Sequence, residues 1–180
     1  MATNQQEIRQ VMPHPDQFVS VFARNCDIRR ITKPVAAAFL EQFHSYGPAA
    51  CRYCYGLFVR RRTGAKEGIF TEGEMVAVAT FSASRKWLKG DKVIRSYEWV
   101  RYASRSDVRV IGGMGKILKT FIQEHHPDDV MTYAISEVSE GDVYRKLGFV
   151  EEGIKTFRTS NSSSSDTSSS IKFRLKLTDY

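Results

Sequence analysis

Long apolar runs are absent from this sequence of 180 residues. No segment approaches the roughly 20 consecutive apolar residues that a membrane-spanning helix needs. The first ten residues, MATNQQEIRQ, are polar, unlike the apolar centre of a secretory signal. We therefore expect a protein that carries neither a membrane span nor a secretory signal.

Cysteine is also scarce. Three cysteines, an odd number, do not make a disulfide framework, and they indicate a reducing, cytoplasmic setting. Cys51 and Cys54 form a C-x-x-C, but a zinc site needs about four ligands, and only Cys26 and His44 are obvious additions. A strand over these residues would also point the two thiols to opposite faces. We therefore expect no metal site.

The residues that are abundant suit a single folded domain. Hydrophobic residues make up 42% of the chain and charged residues 26%, as in ordinary globular proteins. The formal charge of +7 favours an acidic partner, such as a nucleotide cofactor, a nucleic acid or an anionic surface. We expect an N-terminal extension over 1–26, one domain over 27–180, and a mobile serine-rich loop at 159–170.

Apolar periodicity predicts a mixed α/β (α+β) fold. A first helix follows the cap residue Thr32 and ends near Gly47, a second follows Gly115, and a short third runs from Ser139 through Leu147. The predicted strands cover residues 28–31, 53–59, 74–82, 96–104, 130–136, 149–157 and 171–177, with polar turns at 60–73 and 87–92. The strand–helix–strand order of the second half implies a parallel pair in a mostly antiparallel sheet with helices on both faces.

A glycine turn lies between a predicted strand and the second predicted helix. Its candidate binding residues are Arg109, Val110, Ile111, Gly112, Gly113, Met114, Gly115 and Lys116. Glycines let the backbone turn sharply and expose its N–H groups, and a helix N-terminus adds donors and a favourable dipole. The pattern fits a pyrophosphate site, and a loop that only turns the chain is the alternative. Its glycine spacing matches neither a Walker A loop nor a dinucleotide fingerprint.

Two motifs in order resemble those of the GCN5-related N-acetyltransferases. Arg109-x-x-Gly112-x-Met114 is similar to the family's Q/R-x-x-G-x-G/A signature, and YRKLGF at 144–149 is similar to its Y-x-K-L-G-F motif. The resemblance implies a sheet whose parallel pair lies at the cofactor cleft. It also implies acetyl-CoA, or another acyl-CoA, and direct transfer of the acyl group to a small-molecule or macromolecular amine.

Acyl transfer to an amine needs an acid and a base. The resemblance puts Tyr144 in the place of the acid that protonates the leaving thiolate, and a buried packing tyrosine is the alternative. Glu98, on the fourth predicted strand, and Glu137, just past the fifth, are the candidate bases from their positions in the sequence. The alternative for Glu98 is a carboxylate that faces solvent or pairs with Arg101.

The end of the first helix lines the acceptor pocket in proteins of this family. His44 and Tyr46 are therefore candidate substrate contacts. The alternative for His44 is a favourable interaction with the helix dipole. Basic runs at 60–62 and 85–92 are hairpin tips in solvent, or else contacts to the phosphates of a nucleic acid.

A closer resemblance is to a phage and bacterial branch of the family that includes Mom-like DNA-modification proteins. It rests on the segments SYEWVRYAS, RVIGGMGKILKTFI and DVYRKLGF, and it implies modification of a nucleobase as an alternative function. That branch carries an acidic residue where this sequence has Ile135. The family signature carries a small residue where Met114 stands, unless the motif is aligned one residue later on Val110 and Gly115. These departures favour a further alternative, a protein that binds coenzyme A without catalysis.

Overall fold

The computed structural model describes residues 18–60, 72–135, 140–158 and 167–180. These ranges contain three α-helices and ten strands. The helices are α1 (Lys33–Phe43), α2 (Gly113–His125) and α3 (Glu140–Lys146). The strands are β1 (Val19–Phe22), β2 (Cys26–Arg30), β3 (Tyr53–Val59), β4 (Met75–Phe81), β5 (Arg85–Lys89), β6 (Lys92–Ser104), β7 (Val108–Ile111), β8 (Asp129–Ile135), β9 (Val150–Arg158) and β10 (Thr167–Lys176).

Eight of these strands form one mixed sheet. Its order is β2-β3-β4-β6-β8-β10-β9, and β5 pairs with the N-terminal half of β6. All neighbours in it run antiparallel except β6 and β8, which are parallel. The predicted mixed, mostly antiparallel sheet with one parallel pair is therefore confirmed. A second, two-stranded parallel sheet joins β1 to β7.

Helices α1 and α2 cover opposite faces of the large sheet. Ala77 and Ala79 of β4 belong to the same buried cluster as Phe121 of α2, whereas Val78 between them packs with Leu40 of α1. Successive strand residues point to opposite faces, so the two helices are separated by the sheet. Among the described residues, no helix combines the length and the apolar character needed to cross a bilayer.

The C-terminal end of α2 is fixed by a polar network at the edge of the sheet. The Tyr55 hydroxyl donates to Glu124 Oε2 at 2.6 Å and lies 2.9 Å from His125 Nε2, and Arg30 donates to Glu124 at 3.2 Å. Burial raises the pKa of the Tyr55 hydroxyl above its usual value, and the hydrogen bond to Glu124 adds to that rise. Anchoring at this end holds the helix axis, and with it the position of the glycine turn at the other end.

Three local expectations differ from the structure. The segment 87–92, expected to be a turn, is mostly a hairpin, because β5 and β6 pair as far as Lys89 and Lys92 and only Gly90 and Asp91 turn. Strand β10 already begins at Thr167, inside the expected loop at 159–170, and the rest of that loop lies outside the described residues. The expected N-terminal extension contributes β1 to the fold.

Candidate acyl-CoA site

The parallel strands β6 and β8 separate halfway along their length. Their pairing covers Ser96 to Glu98 and ends at Glu98 and Met131, although both strands continue. Just beyond, the Thr132 hydroxyl donates to the Trp99 carbonyl oxygen at 3.0 Å. The two backbones therefore diverge from this point toward their C-terminal ends.

A β-bulge marks the same point on β6. Arg101 pairs with Thr80 and Trp99 pairs with Phe81, so Val100 is one extra residue that has no partner on β4. A bulge re-aims the side chains that follow it. Arg101 donates from Nε to the Gly47 carbonyl at 3.2 Å on the α1 side, and Tyr102 lines a cavity on the α2 side.

The glycine turn opens α2 beside this divergence. Gly112 is the N-cap residue, with a φ of 76° in the left-handed region that favours glycine, and the helix begins at Gly113. The amides of the first helical turn have no acceptor within the helix. Together with the helix dipole, they form an anion-binding position of the kind predicted from the sequence.

One glycine of the turn is required by close packing. A Cβ on Gly113 would lie 2.6 Å from Val110 Cγ1 and 2.8 Å from the Tyr102 hydroxyl. A Cβ on Gly115 would lie 3.4 Å from Leu147 Cδ2, which is an ordinary van der Waals contact. Gly112 is required by its positive φ and Gly113 by close packing, so the turn is compatible with either alignment of the family signature.

A cavity of about 890 Å³ lies against the turn. Its wall is formed by β1 and the residue before it, the end of β6, β7, the start of α2 and the end of α3. The lining residues are Phe18, Ser20, Tyr102, Ser104, Val108, Arg109, Val110, Gly112, Gly113, Met114, Gly115, Val143, Lys146 and Leu147. Both sequence motifs, separated by a helix and a strand along the chain, therefore contribute to one cavity.

The remaining predicted residues of the turn have different positions. Arg109 is exposed and lines the cavity, and Met114 is half-buried, lining the cavity while packing on the core. Ile111 is 41% exposed. The Lys116 ammonium donates to the carbonyls of Ala23, at 2.9 Å, and of Cys26. Its positive charge is thus directed at the N-terminal segment, and Lys116 does not line the cavity.

Tyr144 lies in an aromatic cluster at the point where β6 and β8 separate. Its ring centroid lies 5.9 Å from that of Trp99, 5.6 Å from that of Phe149 and 5.8 Å from that of Phe173. Only 8% of the residue is exposed. The ring packs in the core and also lies beside the point where β6 and β8 separate. This position is compatible with a role as the acid and with a role in packing alone.

Of the two candidate bases, only Glu98 lies in the described residues; Glu137 falls outside them. Glu98 is the last residue of β6 that pairs with β8, and its carboxylate lies 4.0 Å from the Arg85 guanidinium with 24% of the side chain exposed. The alternative pairing of Glu98 with Arg101 is wrong, because Arg101 is bonded to backbone carbonyls.

His44 caps the C-terminal end of α1, and Tyr46 follows it in an exposed turn. The Tyr46 N–H donates to His44 Nδ1 at 3.1 Å, so the neutral ring carries its proton on Nε2. Burial, and then the charge of Arg101, lowers the pKa of His44 below its usual value. A neutral ring gains less from the helix dipole than a charged one, and both interpretations of His44, as a substrate contact and as a residue at the helix terminus, stay predictions.

Cys51 and Cys54 lie together, contrary to expectation. Their Sγ atoms are 3.5 Å apart. The expectation of opposite faces is wrong because Cys51 precedes β3, with a bend at Arg52, so strand alternation does not reach it. In the described ranges, no group of three or more potential metal ligands occurs.

Sequence reasoning missed several residues of the cavity. Phe18 and Ser20 belong to the segment assigned to an N-terminal extension, and this segment joins the fold through β1. Tyr102 was an unremarked member of an aromatic strand, and burial raises the pKa of its hydroxyl. Leu147 was part of a recognised motif, but its contact with Gly115 follows only from the packing of α3 on α2.

Comparison with known proteins finds no matching family model and no matching curated protein. Solved structures do match. The acetyl-CoA complex of NAA60 from Arabidopsis thaliana is 11% identical, with a TM-score of 0.60 over 84% of this chain and 98% of that one. A polyamine N-acetyltransferase from Drosophila melanogaster is 11% identical, with a TM-score of 0.58 over 84% and 100%.

A third match, the ribosomal-protein-S18-alanine N-acetyltransferase from Escherichia coli, is 15% identical, with a TM-score of 0.55 over 86% of this chain and 96% of that one. Such low identities concern the fold alone. The matches extend over 84–86% of this chain and 96–100% of each neighbour. The chain therefore has the fold of the GCN5-related N-acetyltransferases.

Proposed function

We propose that this protein transfers an acetyl group from acetyl-CoA, or a related acyl-CoA, to an amine. The observation that carries the proposal is the cavity of about 890 Å³ where the glycine turn of α2 meets the diverging ends of β6 and β8. The matched proteins include one with acetyl-CoA bound and others whose acceptors are a polyamine and an alanine of a ribosomal protein. A reducing, cytoplasmic compartment is part of the same proposal.

The cavity fits the proposed cofactor. Its volume lies within the roughly 300–1,000 Å³ typical of ligand sites. The first-turn amides of α2 and the exposed Arg109 supply donors for a pyrophosphate, and the absence of a Cβ at Gly113 leaves the turn close to the wall. Bound acetyl-CoA would supply the acetyl group as an activated thioester.

Tyr144 is the proposed acid. It lies beside Trp99, which is the first residue of β6 beyond the pairing with β8. A thioester bound between the diverging strands would have its sulfur near this point. A tyrosine hydroxyl donates a proton to a departing thiolate most effectively when solvent is excluded, and Tyr144 is 8% exposed. The sulfur would then leave as a thiol.

The acceptor amine is proposed to approach from the α1 side of the sheet. Glu98, or Glu137, would accept the proton of the attacking amine through a water molecule. His44, which carries its proton on Nε2, and the exposed hydroxyl of Tyr46 would contact the acceptor. Arg101, which fixes the Gly47 carbonyl, would hold this turn against the bulge of β6.

Release of the coenzyme A thiol tests the proposal. The protein would be incubated with acetyl-CoA and with a polyamine, a peptide with an N-terminal alanine, or the same peptide with a blocked N-terminus. We expect thiol release that depends on an amine and exceeds hydrolysis in its absence. Binding of acetyl-CoA without turnover on any amine would instead favour the non-catalytic alternative.

A second candidate acceptor is an amine on a nucleobase within a nucleic acid. The observation that favours it is the exposed β5–β6 hairpin, which presents Arg85, Lys86 and Lys89 beside the apolar Leu88. Duplex and single-stranded DNA would be titrated at increasing salt, comparing Lys86→Gln with Lys119→Gln, an exposed lysine of α2 outside the hairpin. Loss of one phosphate contact lowers the salt slope by about 0.9. Absence of binding at low salt would remove this candidate.

A further inference from the structure

Two cysteines on the α1 side of the sheet, Cys51 and Cys54, have no role in the proposed acyl transfer. Cys51 Sγ and Cys54 Sγ are 3.5 Å apart, and a disulfide requires about 2.0 Å. Cys54 is 2% exposed and packs in the α1 cluster, whereas Cys51 is only partly buried. The two sulfurs therefore need a small further approach to form a bond, and one of them is accessible from outside.

The backbone favours movement at only one of the two cysteines. Cys54 pairs with Thr80 of β4, and its carbonyl accepts the Ile31 N–H at 3.0 Å, so it is bonded on both sides. Cys51 precedes the strand and is joined to it through the bend at Arg52. Closure of the pair can thus come from Cys51 while the sheet stays intact.

A separate small cavity adjoins Cys51. It has a volume of about 220 Å³ and lies between α1 and the segment leading into β3. Thr80 lines it and is 1% exposed, and its hydroxyl has no hydrogen-bond partner among the described residues. A buried hydroxyl usually has a hydrogen-bond partner. A small polar molecule in the cavity, such as water or a peroxide, would supply one.

Exposure distinguishes the two thiols. Burial raises the pKa of Cys54 to about 12, and its hydrogen bond with Cys51 adds to the rise. Cys54 is almost fully buried, whereas Cys51 is partly exposed and lines the small cavity. Cys51 is therefore the sulfur that a small oxidant in this cavity reaches first.

We infer that Cys51 and Cys54 form a reversible oxidation site for hydrogen peroxide or a small organic hydroperoxide. The Cys51 sulfur attacks a peroxide oxygen, the S–O bond forms, the O–O bond breaks, and the leaving water or alcohol takes the Cys51 proton. Cys54 then attacks the Cys51 sulfur, the S–S bond forms, and the displaced hydroxyl leaves as water with the Cys54 proton. Two electrons pass from the sulfurs to the peroxide, and Thr80 donates a hydrogen bond to it in the cavity.

Thiol counting and peptide mapping test the inference on the full chain. After hydrogen peroxide, the protein would be denatured and alkylated, and we expect one alkylated cysteine where the reduced protein has three. Trypsin cuts after Arg52, between the two cysteines, so their peptides should stay joined until dithiothreitol is added. Cys26→Ser should still lose two thiols, because Cys26 is fully buried elsewhere.

Two variants probe the mechanism. Thr80→Val should slow oxidation by roughly two- to tenfold, the range for one hydrogen bond, without lowering the melting temperature. Cys51→Ser should leave Cys54 reduced. The inference is overturned if three thiols survive a peroxide concentration that fully oxidises glutathione, if Cys51 accumulates as sulfinic acid without a disulfide, or if the disulfide joins two molecules.

Discussion

Gly113→Ala is the substitution that probes the cofactor site most sharply. The new methyl group would lie 2.6 Å from Val110 Cγ1 and 2.8 Å from the Tyr102 hydroxyl. Neither atom is the far end of a flexible side chain, because valine has one rotatable bond and Tyr102 is held in the strand by its ring packing on Trp99. The first turn of α2 must therefore shift away from β6 and β7.

The size of the effect follows from two opposing terms. Overpacking a filled site costs about 1–3 kcal/mol, and replacing glycine by alanine in a helix returns up to about 1 kcal/mol. The free energy of unfolding should thus fall by about 1–2 kcal/mol. Displacement of the first-turn amides should weaken acetyl-CoA binding by tenfold or more, which corresponds to about 1.4 kcal/mol.

Urea denaturation and calorimetric titration with acetyl-CoA measure the two effects separately. Gly115→Ala is the matched control, because its methyl group would meet only the tip of Leu147, at 3.4 Å. We expect this control to match or exceed the stability of the wild type. Val110→Ala removes the nearest clashing atom, so the double variant with Gly113→Ala should recover at least about 0.5 kcal/mol through coupling.

The reasoning would be refuted by a Gly113→Ala protein that unfolds and binds acetyl-CoA like the wild type. It would equally be refuted if Gly115→Ala proved the more damaging change. If Gly113→Ala lost stability but kept its affinity for acetyl-CoA, the glycine would be needed for packing and not for cofactor binding. The pyrophosphate would then have to bind elsewhere than at these amides.

Three further predictions concern other residues of the site and the pH dependence of stability. Tyr144→Phe should lower kcat by about 10²- to 10⁴-fold while the Kd for acetyl-CoA stays within a factor of two, as measured by steady-state kinetics and calorimetry; equal losses would make it a packing residue. Lys116→Met should lower the free energy of unfolding by about 1–3 kcal/mol, because two carbonyls lose their donor, whereas Arg109→Ala should weaken acetyl-CoA binding and its salt dependence without affecting stability. Burial and the nearby Arg30 lower the pKa of His125 in the folded state, so the unfolded chain binds the proton more readily. The free energy of unfolding should therefore fall as the pH drops below about 6.5. In His125→Gln, the free energy of unfolding measured with urea should depend less on pH between about 5 and 7, and an unchanged dependence would contradict this prediction.

Much of the fold could be predicted because its signals are local. The β-branched run at 74–82 predicted a buried strand, and the amphipathic run after the glycine turn predicted a helix. The order strand, helix, strand then required a parallel pair, which β6 and β8 supply. The hairpin at 85–92 was missed because its strand is exposed along its whole length and therefore lacks apolar alternation.

The site was only partly predictable because its geometry depends on packing between distant segments. No local pattern states that Lys116 will bond the carbonyls of Ala23 and Cys26, so its charge was assigned to the cofactor. The steric need for glycine at position 113 likewise follows only from the approach of Val110 and Tyr102 in three dimensions. The same holds for Arg101, whose bond to the α1 turn excludes the expected partner.

The C-x-x-C shows how one boundary residue changes an expectation. Alternation along a strand places a residue three positions further along on the other face, so the two thiols would have been separated had β3 begun at Cys51. The strand begins at Tyr53, and the bend at Arg52 returns Cys51 toward Cys54. A shift of two residues in a strand boundary thus decides whether two sulfurs can react with each other.

Calorimetric titration of the wild-type protein with acetyl-CoA tests the central claim most directly. The cavity formed by the glycine turn, β1 and the end of α3 is sized for one such molecule. We expect saturable binding at one site per chain, competed by coenzyme A and weakened tenfold or more by Gly113→Ala. The absence of saturable binding, or binding that Gly113→Ala leaves intact, would contradict the assignment of this cavity as the acyl-CoA site.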